Sequence, residues 1–343
     1  MTTPGLILTA DDYGLNSACN RAIRHAVKEG LITSVHVLMN LVTEDEMQRL
    51  MEVVAENDYR CGIGLHINTT YGKASLQKAA SFKHTWDLNT ADPKDNVYTY
   101  RGLNTYVHKA TDPLEMNAEI AHQFWQLAEY IGGPDKIDAI SSHQNIHFWS
   151  PLFLTMVNTL AKPFQIPVRS PLRWVSDNQT PQPPYYPSGK GNKGIGPLRA
   201  VGLKKIETAV KIPSTGNLLK TAMSSTKLKQ AYASVMHHGS GLTPRNASGH
   251  WFGQPSWEAM RWFITTLSEI NDHSGYASEI YMHLADSLVG NDHRFDYSQV
   301  ERMNEYHTLL LPDFKPKFLE LIAEKDVRHG SYRTILTSPN DLV

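Results

Sequence analysis

Two adjacent aspartates, Asp11 and Asp12, are the residues of this sequence best suited to chemistry. They stand in the stretch ILTADDYGLN, directly after an apolar run and directly before a Tyr-Gly turn. Neighbouring carboxylates repel each other, so a positive charge should lie close by or one of the two should hold a proton. A divalent metal ion with Asp12 as ligand and Asp11 as nearby base would satisfy this requirement. The alternative is a strand-to-helix turn with an aspartate as helix cap.

Four histidines follow other apolar runs of the sequence. His66 lies in GLHINTT, His143 and His147 lie in SSHQNIH, and His283 lies in EIYMHLA. One carboxylate with two imidazoles is a recurrent ligand set for a divalent metal with open water positions, which predicts Asp12, His66 and His143 as ligands. His147 is the alternative ligand, because residues four apart share one face of a helix. Taken singly, each histidine is more simply explained as a hydrogen-bonded structural residue.

The elements that must position these residues alternate between strand and helix patterns. Predicted strands are GLILTA, TSVHVLMN, CGIGLHINTT, KIDAISSHQNIHF, IPVRSP and ASEIYMHLA. Amphipathic helix patterns such as NSACNRAIRHAVKEGLI and EDEMQRLMEVVAEN separate them. This alternation predicts an α/β fold with a parallel sheet, as a (β/α) barrel that is distorted or incomplete. In such a barrel the carboxyl ends of the strands meet on one face, where active sites are built.

One basic segment interrupts the alternation. Between Ser188 and Gln230 there are nine Lys or Arg residues and a single acid, Glu207. We predict an insertion at about residues 176–245 that acts as a lid over the mouth of the barrel. The alternatives are a solvated excursion and a segment that docks a partner chain.

The overall composition restricts the class of protein. The chain has 343 residues, a formal net charge of -1 and a pI near 7.0, which gives no electrostatic reason to expect nucleic acid or an anionic membrane as partner. Cys19 and Cys61 are too few for a disulfide framework and are typical of a reducing compartment. The N-terminal sequence has no signal-peptide pattern, so we expect a cytoplasmic protein. A homodimer is compatible with these data.

Several motifs resemble those of the YdjC/ChbG-like carbohydrate deacetylases, which are related to the polysaccharide deacetylases. The stretch ADDYGLNSACNRAIRHAVKEGLITSVHVLMN resembles the family's Asp-Asp-Phe/Tyr-Gly opening, and GIGLHINTT is similar to its Gly-Leu-His-Leu-Asn-Leu-Thr element. ISSHQNIHFWSPL, SEIYMHLA and RMNEYHTL resemble the later motifs Asp-Ser-His-Gln-His-x-His, Glu-Ile-Met-x-His-Pro-Gly and Arg-x-x-Glu-x-x-x-Leu. The resemblance implies a single deacetylase-like (β/α) barrel domain over residues 1–343.

The chain departs from the family pattern at four positions. Ser141 stands where the family usually has Asp, which raises the question of which group supports His143. Asn145 replaces a histidine. Leu284 and Ala285 replace Pro-Gly in the late motif. These changes are typical of a divergent member with a substrate of its own.

The resemblance implies metal-dependent removal of an N-acetyl group from an amino sugar or oligosaccharide. In this interpretation Asp11 is the general base and His283 is the general acid. Arg169 in VRSPL resembles an Arg-x-Pro element that orients the catalytic aspartate in the wider group, and a surface salt bridge is its alternative role. One divalent ion is implied, and Mg²⁺ and Zn²⁺ are the favoured candidates. These ligand types alone do not decide between the two metals.

Two other functions remain open from the sequence. One is a metal-dependent hydrolase or lyase that acts on another amide, ester or glycosidic bond, because a paired carboxylate and a positioned acid serve several such reactions. The other is an inactive carbohydrate-binding relative, which the changes at Ser141 and Asn145 would suit.

Overall fold

The structure, a computed structural model, describes the parts of the chain that carry the predicted site. The described residues are 3–58, 60–69, 74–76, 113–143, 147, 151–169, 246–248, 255–269, 277–288 and 296–336. The insertion predicted at about 176–245 lies outside the described residues, as does Asn145. The lid function therefore stays a prediction from the sequence.

A parallel sheet of seven strands forms the centre of the described structure. The strands are β1 (Gly5–Tyr13), β2 (Ser34–Val37), β3 (Gly62–Ile67), β4 (Ile140–Ser142), β5 (Asn246–Ser248), β6 (Ala277–Met282) and β7 (Arg328–His329). Their order is β4-β3-β2-β1-β6-β5, and β7 pairs with the first residues of β1. The sheet and its helices confirm the predicted α/β fold, as an incomplete barrel.

Helices cover this sheet, and capping side chains mark the start of the first two. They are α1 (Ser17–Lys28), α2 (Glu44–Glu56), α3 (Pro113–Ile131), α4 (Pro151–Ala161), α5 (Trp257–Glu269), α6 (Asp296–Leu309), α7 (Phe314–Glu324) and α8 (Tyr332–Leu336). The Asn16 side chain accepts the backbone N–H of Cys19 at the start of α1, and Thr43 caps α2 in the same way. All nine residues of β1 are buried, as expected for a strand in the middle of a parallel sheet.

No helix in the described part of the chain is long and apolar enough to cross a membrane. Cys19 and Cys61 are both buried and carry free thiols, and burial raises the pKa of each thiol.

His329 in β7 should make the fold sensitive to acid. Burial lowers the pKa of His329 to about 4, whereas an imidazole in an unfolded chain titrates near its ordinary value of about 6.5. Between these values the unfolded chain binds a proton that the folded protein excludes, so stability is lost as the pH falls through this window. From pH 7 to pH 5 this residue should lower the unfolding free energy by about 2 kcal/mol.

The comparison that checks this is urea unfolding of the wild type and His329→Gln at both pH values. Glutamine keeps a side-chain N–H but cannot be protonated, so the variant should lose about 2 kcal/mol less on acidification. The same pH dependence in both proteins would show that His329 is not the responsible group.

Candidate metal centre and active site

Both aspartates lie at the end of β1, which runs three residues beyond the segment GLILTA to Tyr13. The pairing of β1 with β2 shifts its register between Ala10 and Tyr13, and Asp12 has a φ of 67°. Consecutive side chains of a regular strand point to opposite faces, but such an irregularity breaks the alternation. Aspartate tolerates this left-handed conformation better than most residues. The two carboxylates can therefore reach one cluster of side chains.

Asp11 is held by a buried arginine. Arg169 donates from Nη1 to Asp11 Oδ2 at 2.7 Å and from Nη2 to Asp11 Oδ1 at 2.8 Å. The other side of the guanidinium contacts Glu279, with Nη2 2.6 Å from Oε1, and its Cζ lies 4.4 Å from the ring centroid of Tyr281. Burial by itself raises the pKa of Asp11, but Arg169, His66 and His36 together outweigh it and hold the pKa well below the usual value. Asp11 is therefore ionised at neutral pH.

Asp12 has a different cationic partner. Arg302 in α6 donates from Nη2 to Asp12 Oδ2 at 2.5 Å. Asp12 Oδ1 lies 2.7 Å from His143 Nδ1 and 3.3 Å from His66 Nε2. Burial raises the pKa of Asp12, but His143 and Arg302 outweigh it and hold the pKa well below the usual value. Each of the adjacent carboxylates therefore has its own guanidinium, which reduces the repulsion that the sequence implies.

The side chains on Asp12 Oδ1 form a group that could hold a metal ion. One ligand atom each from Asp12, His66 and His143 all lie within 4.8 Å of one another. Burial lowers the pKa of His66, which keeps its imidazole neutral, as metal ligation requires. Because Arg302 occupies Oδ2, Asp12 presents Oδ1 alone to this group. The donor set of one carboxylate oxygen and two imidazoles fits a divalent cation.

A second group in the described residues consists of Asp11, His36 and His66. Both Asp11 oxygens already accept hydrogen bonds from Arg169, whereas Arg302 takes only Oδ2 of Asp12 and leaves Oδ1 for a ligand role. The geometry thus favours the group around Asp12 as the metal centre and leaves Asp11 beside it.

His283 and His147 occupy different places around the cluster. His283 Nε2 lies 3.9 Å from Asp11 Oδ2 and 4.0 Å from Asp12 Oδ2. His147 instead directs Nδ1 to the Ser142 hydroxyl, and its Nε2 lies 3.3 Å from the Arg169 carbonyl oxygen. The structure therefore brings His283 to the two aspartates and gives His147 contacts with the backbone and Ser142.

The side chains of the cluster differ in their exposure. The side chains of His143 and His283 keep 14% and 18% of their accessible surface, whereas those of Asp11 and Asp12 keep 2% or less. Of these four side chains, the two histidines are therefore the ones that solvent reaches.

Four participants in this cluster were not among the candidate site residues of the sequence analysis. Arg302 and Glu279 stood inside recognised motifs, and that position was the signal that could have found them. His36 lies within β2, and Ser141 lies in β4 beside His66 in the sheet register. Ser141 contacts His36 and His66, with Oγ 2.6 Å from Nδ1 of each ring. Ser141 therefore contacts the imidazole of His66 and not that of His143.

The fold and the site together define a class of protein. It is an α/β protein with a parallel sheet and a candidate divalent-metal centre beside a buried, arginine-held carboxylate at the carboxyl end of its central strand. The family model for YdjC-like proteins matches residues 5–320, and the chain belongs to that family.

Relatives and a solved structure agree with this membership. The chain is 27% identical over 174 residues to a carbohydrate deacetylase of Brevibacillus brevis, which covers 51% of this chain and 61% of that protein. It is 26% identical over 165 residues to a chitooligosaccharide deacetylase of Proteus mirabilis, covering 48% and 58%. The matches span less than two thirds of the length of these curated relatives. A crystal structure of a candidate cellobiose-phosphate cleavage protein from Enterococcus faecalis has the same fold, with a TM-score of 0.59 at 17% identity over 98% of this chain and 100% of that one.

Proposed function

We propose that this protein is a metal-dependent hydrolase that removes an N-acetyl group from an amino sugar or oligosaccharide. The observation that carries the proposal is that the two aspartates have different partners. Asp12 shares a metal-sized group with His66 and His143, while Asp11 is held beside it by Arg169. Two relatives named as deacetylases of carbohydrate or chitooligosaccharide support the substrate class.

Asp12, His66 and His143 would hold the metal ion. When bound, a divalent ion supplies Lewis-acid polarisation of the acetyl carbonyl and makes water more acidic. The two nitrogen ligands suit Zn²⁺ better than Mg²⁺, which prefers oxygen ligands. We therefore put Zn²⁺ ahead of Mg²⁺ as the cofactor.

Asp11 would act as the general base. It is ionised, buried and held at both oxygens by Arg169, so it can accept the proton of the attacking water without first being oriented. Glu279 also accepts a hydrogen bond from the Arg169 guanidinium. The positive charge of Arg169 is therefore shared between two carboxylates. The acetyl C–N bond then breaks, and the amine nitrogen needs a proton to depart.

His283 would carry that proton. Burial, together with the smaller effect of the Arg302 charge, lowers the pKa of His283 to about 4. Its ring is therefore neutral at neutral pH and cannot act as an acid until it has received a proton. We place His283 as a carrier that receives the proton from Asp11, 3.9 Å away, and passes it to the amine. The proton count closes, because the proton taken from water ends on the leaving amine.

The proposed function is tested by measuring metal content and acetate release on the same preparation. We expect about one Zn²⁺ per chain after loading and stoichiometric acetate from N-acetylglucosamine oligomers. Metal without acetate would favour a hydrolase or lyase on another bond. Neither metal nor acetate would favour an inactive carbohydrate-binding relative.

A further inference from the structure

We infer that Glu305 is a positioning residue, which holds His283 beside Asp11 by accepting the backbone N–H of His283. The inference rests on the proposed function, because it concerns the histidine that we place as the proton carrier. It goes beyond that function by assigning the support of His283 to helix α6, which also carries Arg302.

The hydrogen bond between Glu305 and His283 lies at the end of β6. The pairing of β6 with β1 ends at Met282, opposite Ala10, and His283 is the next residue of the chain. Its backbone N–H donates to Glu305 Oε2 at 2.7 Å, and Glu305 is fully buried. A carboxyl oxygen is therefore the acceptor for the main chain at the point where the strand pairing with β1 stops.

Helix α6 contacts the proposed metal ligand as well as the proton carrier. Arg302 and Glu305 are three positions apart, so their side chains lie on one face of the helix. Arg302 donates to Asp12 Oδ2 at 2.5 Å, and its carbonyl oxygen accepts the backbone N–H of Ala285 at 3.3 Å. The positions of Asp12 and His283 relative to each other are therefore set through one helix.

The distance from His283 to Asp11 is the reason that this support matters. His283 Nε2 lies 3.9 Å from Asp11 Oδ2, which is longer than a hydrogen bond. The ring must therefore approach by about 1 Å before a proton can pass from Asp11. A main-chain displacement of similar size away from Asp11 would double that gap, and a misplacement of about 1 Å can lower turnover about 10²-fold.

The residues after His283 are also held by contacts with other elements. Leu284 and Ala285 stand where the family pattern has Pro-Gly, and both are buried. Asp286 accepts hydrogen bonds from Arg21 of α1, at 2.7 Å from Nε and 2.8 Å from Nη2. This chain therefore lacks the restriction of the main chain that a proline at position 284 would give, and the loop is held by packing and by contacts from α1 and α6.

A competing role for Glu305 would be to balance the charge of Arg302. Burial by itself lowers the pKa of Arg302, but Asp12 foremost, together with Cys19 and Glu305, outweighs it and raises the pKa above the usual value. Asp12 lies within hydrogen-bond distance of Arg302, so Arg302 keeps a carboxylate partner without Glu305. The charge beside Arg302 and the hydrogen bond to His283 can be separated by substitution.

The two roles are separated by comparing Glu305→Gln with Glu305→Asp. Glutamine keeps an acceptor oxygen at the same reach but removes the charge, whereas aspartate keeps the charge and draws the acceptor back by about 1.5 Å. We expect kcat for acetate release to fall by about 10²-fold in Glu305→Asp, with KM and Zn²⁺ content little changed, because only the chemical step needs His283. Glu305→Gln should retain most of the wild-type kcat. The reverse order would show that Glu305 acts through its charge and would overturn the inference.

A double variant tests whether Glu305 acts through His283. Two residues that act in series should not add, so Glu305→Asp should lower kcat no further when it is combined with His283→Gln. An equal loss of kcat with and without His283 would mean that Glu305 supports the protein in another way, and would reject the positioning role.

Hydrogen exchange of the His283 backbone amide tests the contact without metal or substrate. The amide signal is followed by NMR in protein labelled with nitrogen-15 histidine, and it is assigned by its loss in His283→Gln. We expect this amide to exchange about 10-fold faster in Glu305→Asp than in the wild type or in Glu305→Gln. Equal exchange in all three proteins would overturn the inference. A wild type that releases no acetate, in a set of proteins with the expected exchange rates, would reject the proposed function while supporting the contact by which Glu305 positions His283.

Discussion

Asp11→Asn should lower turnover by about 10²–10⁴-fold while the protein keeps its bound metal. An amide cannot accept the proton of the attacking water, and Asp11 is not a member of the group formed by Asp12, His66 and His143. The measurement is kcat for acetate release together with metal content by elemental analysis. His283→Gln is the matched variant, because it removes the proposed proton carrier and should likewise reduce kcat and retain metal.

The stability of Asp11→Asn serves as its control. Arg169 would lose one carboxylate but still contact Glu279, so unfolding free energy should fall by less than the roughly 3–5 kcal/mol that breaking a buried pair costs when no other partner remains. Full turnover in a folded, metal-loaded Asp11→Asn protein would remove Asp11 from the role of base. Loss of metal from that variant would indicate that Asp11 is the metal ligand and Asp12 is the base.

Asp12→Asn should remove the metal ion itself. Asp12 supplies the only carboxylate oxygen of its ligand group, at 2.7 Å from His143 and 3.3 Å from His66. Its loss should weaken binding by more than the about 10–100-fold expected for a residue that only supports a ligand. We expect His66→Ala and His143→Ala to lose metal as well, measured by elemental analysis after dialysis.

The matched control for these ligand variants is His147→Gln. His147 contacts Ser142 and the Arg169 carbonyl and is not in either group that could hold a metal. It should therefore retain stoichiometric metal. If His147→Gln loses the ion while His143→Ala keeps it, His147 is the ligand and His143 is not.

The sequence was sufficient for those parts of the protein that local patterns encode. Alternating strand and helix patterns predicted the α/β fold, which the parallel sheet confirms, and the motifs identified the YdjC-like family, which the family match confirms. The same patterns placed Asp12, His66 and His143 at the ends of three separate strands. Parallel strands bring their carboxyl ends to one side, so residues read one at a time from the sequence could be expected to meet.

Other features depended on contacts between distant parts of the chain. Arg302 reaches Asp12 across 290 positions, and Arg169 reaches Glu279 across 110. A charged residue in a motif does not reveal its partner, because a pair forms only after the helices and strands have packed. Nothing in the sequence indicated that His36 belongs to the site, because a histidine within a strand pattern looks like any other polar strand residue.

By itself the sequence determined the fold class and the family, because hydrophobic periodicity and motif spacing are properties of short segments. Only the tertiary structure decided which charged group each of Asp11 and Asp12 contacts. The register shift in β1 and the left-handed Asp12 direct both carboxylates into one cluster. Each then met a different arginine, Arg169 or Arg302. The physical reason is that electrostatic partners act through space, and two neighbours in sequence acquire different chemistry from the charges that folding places beside them.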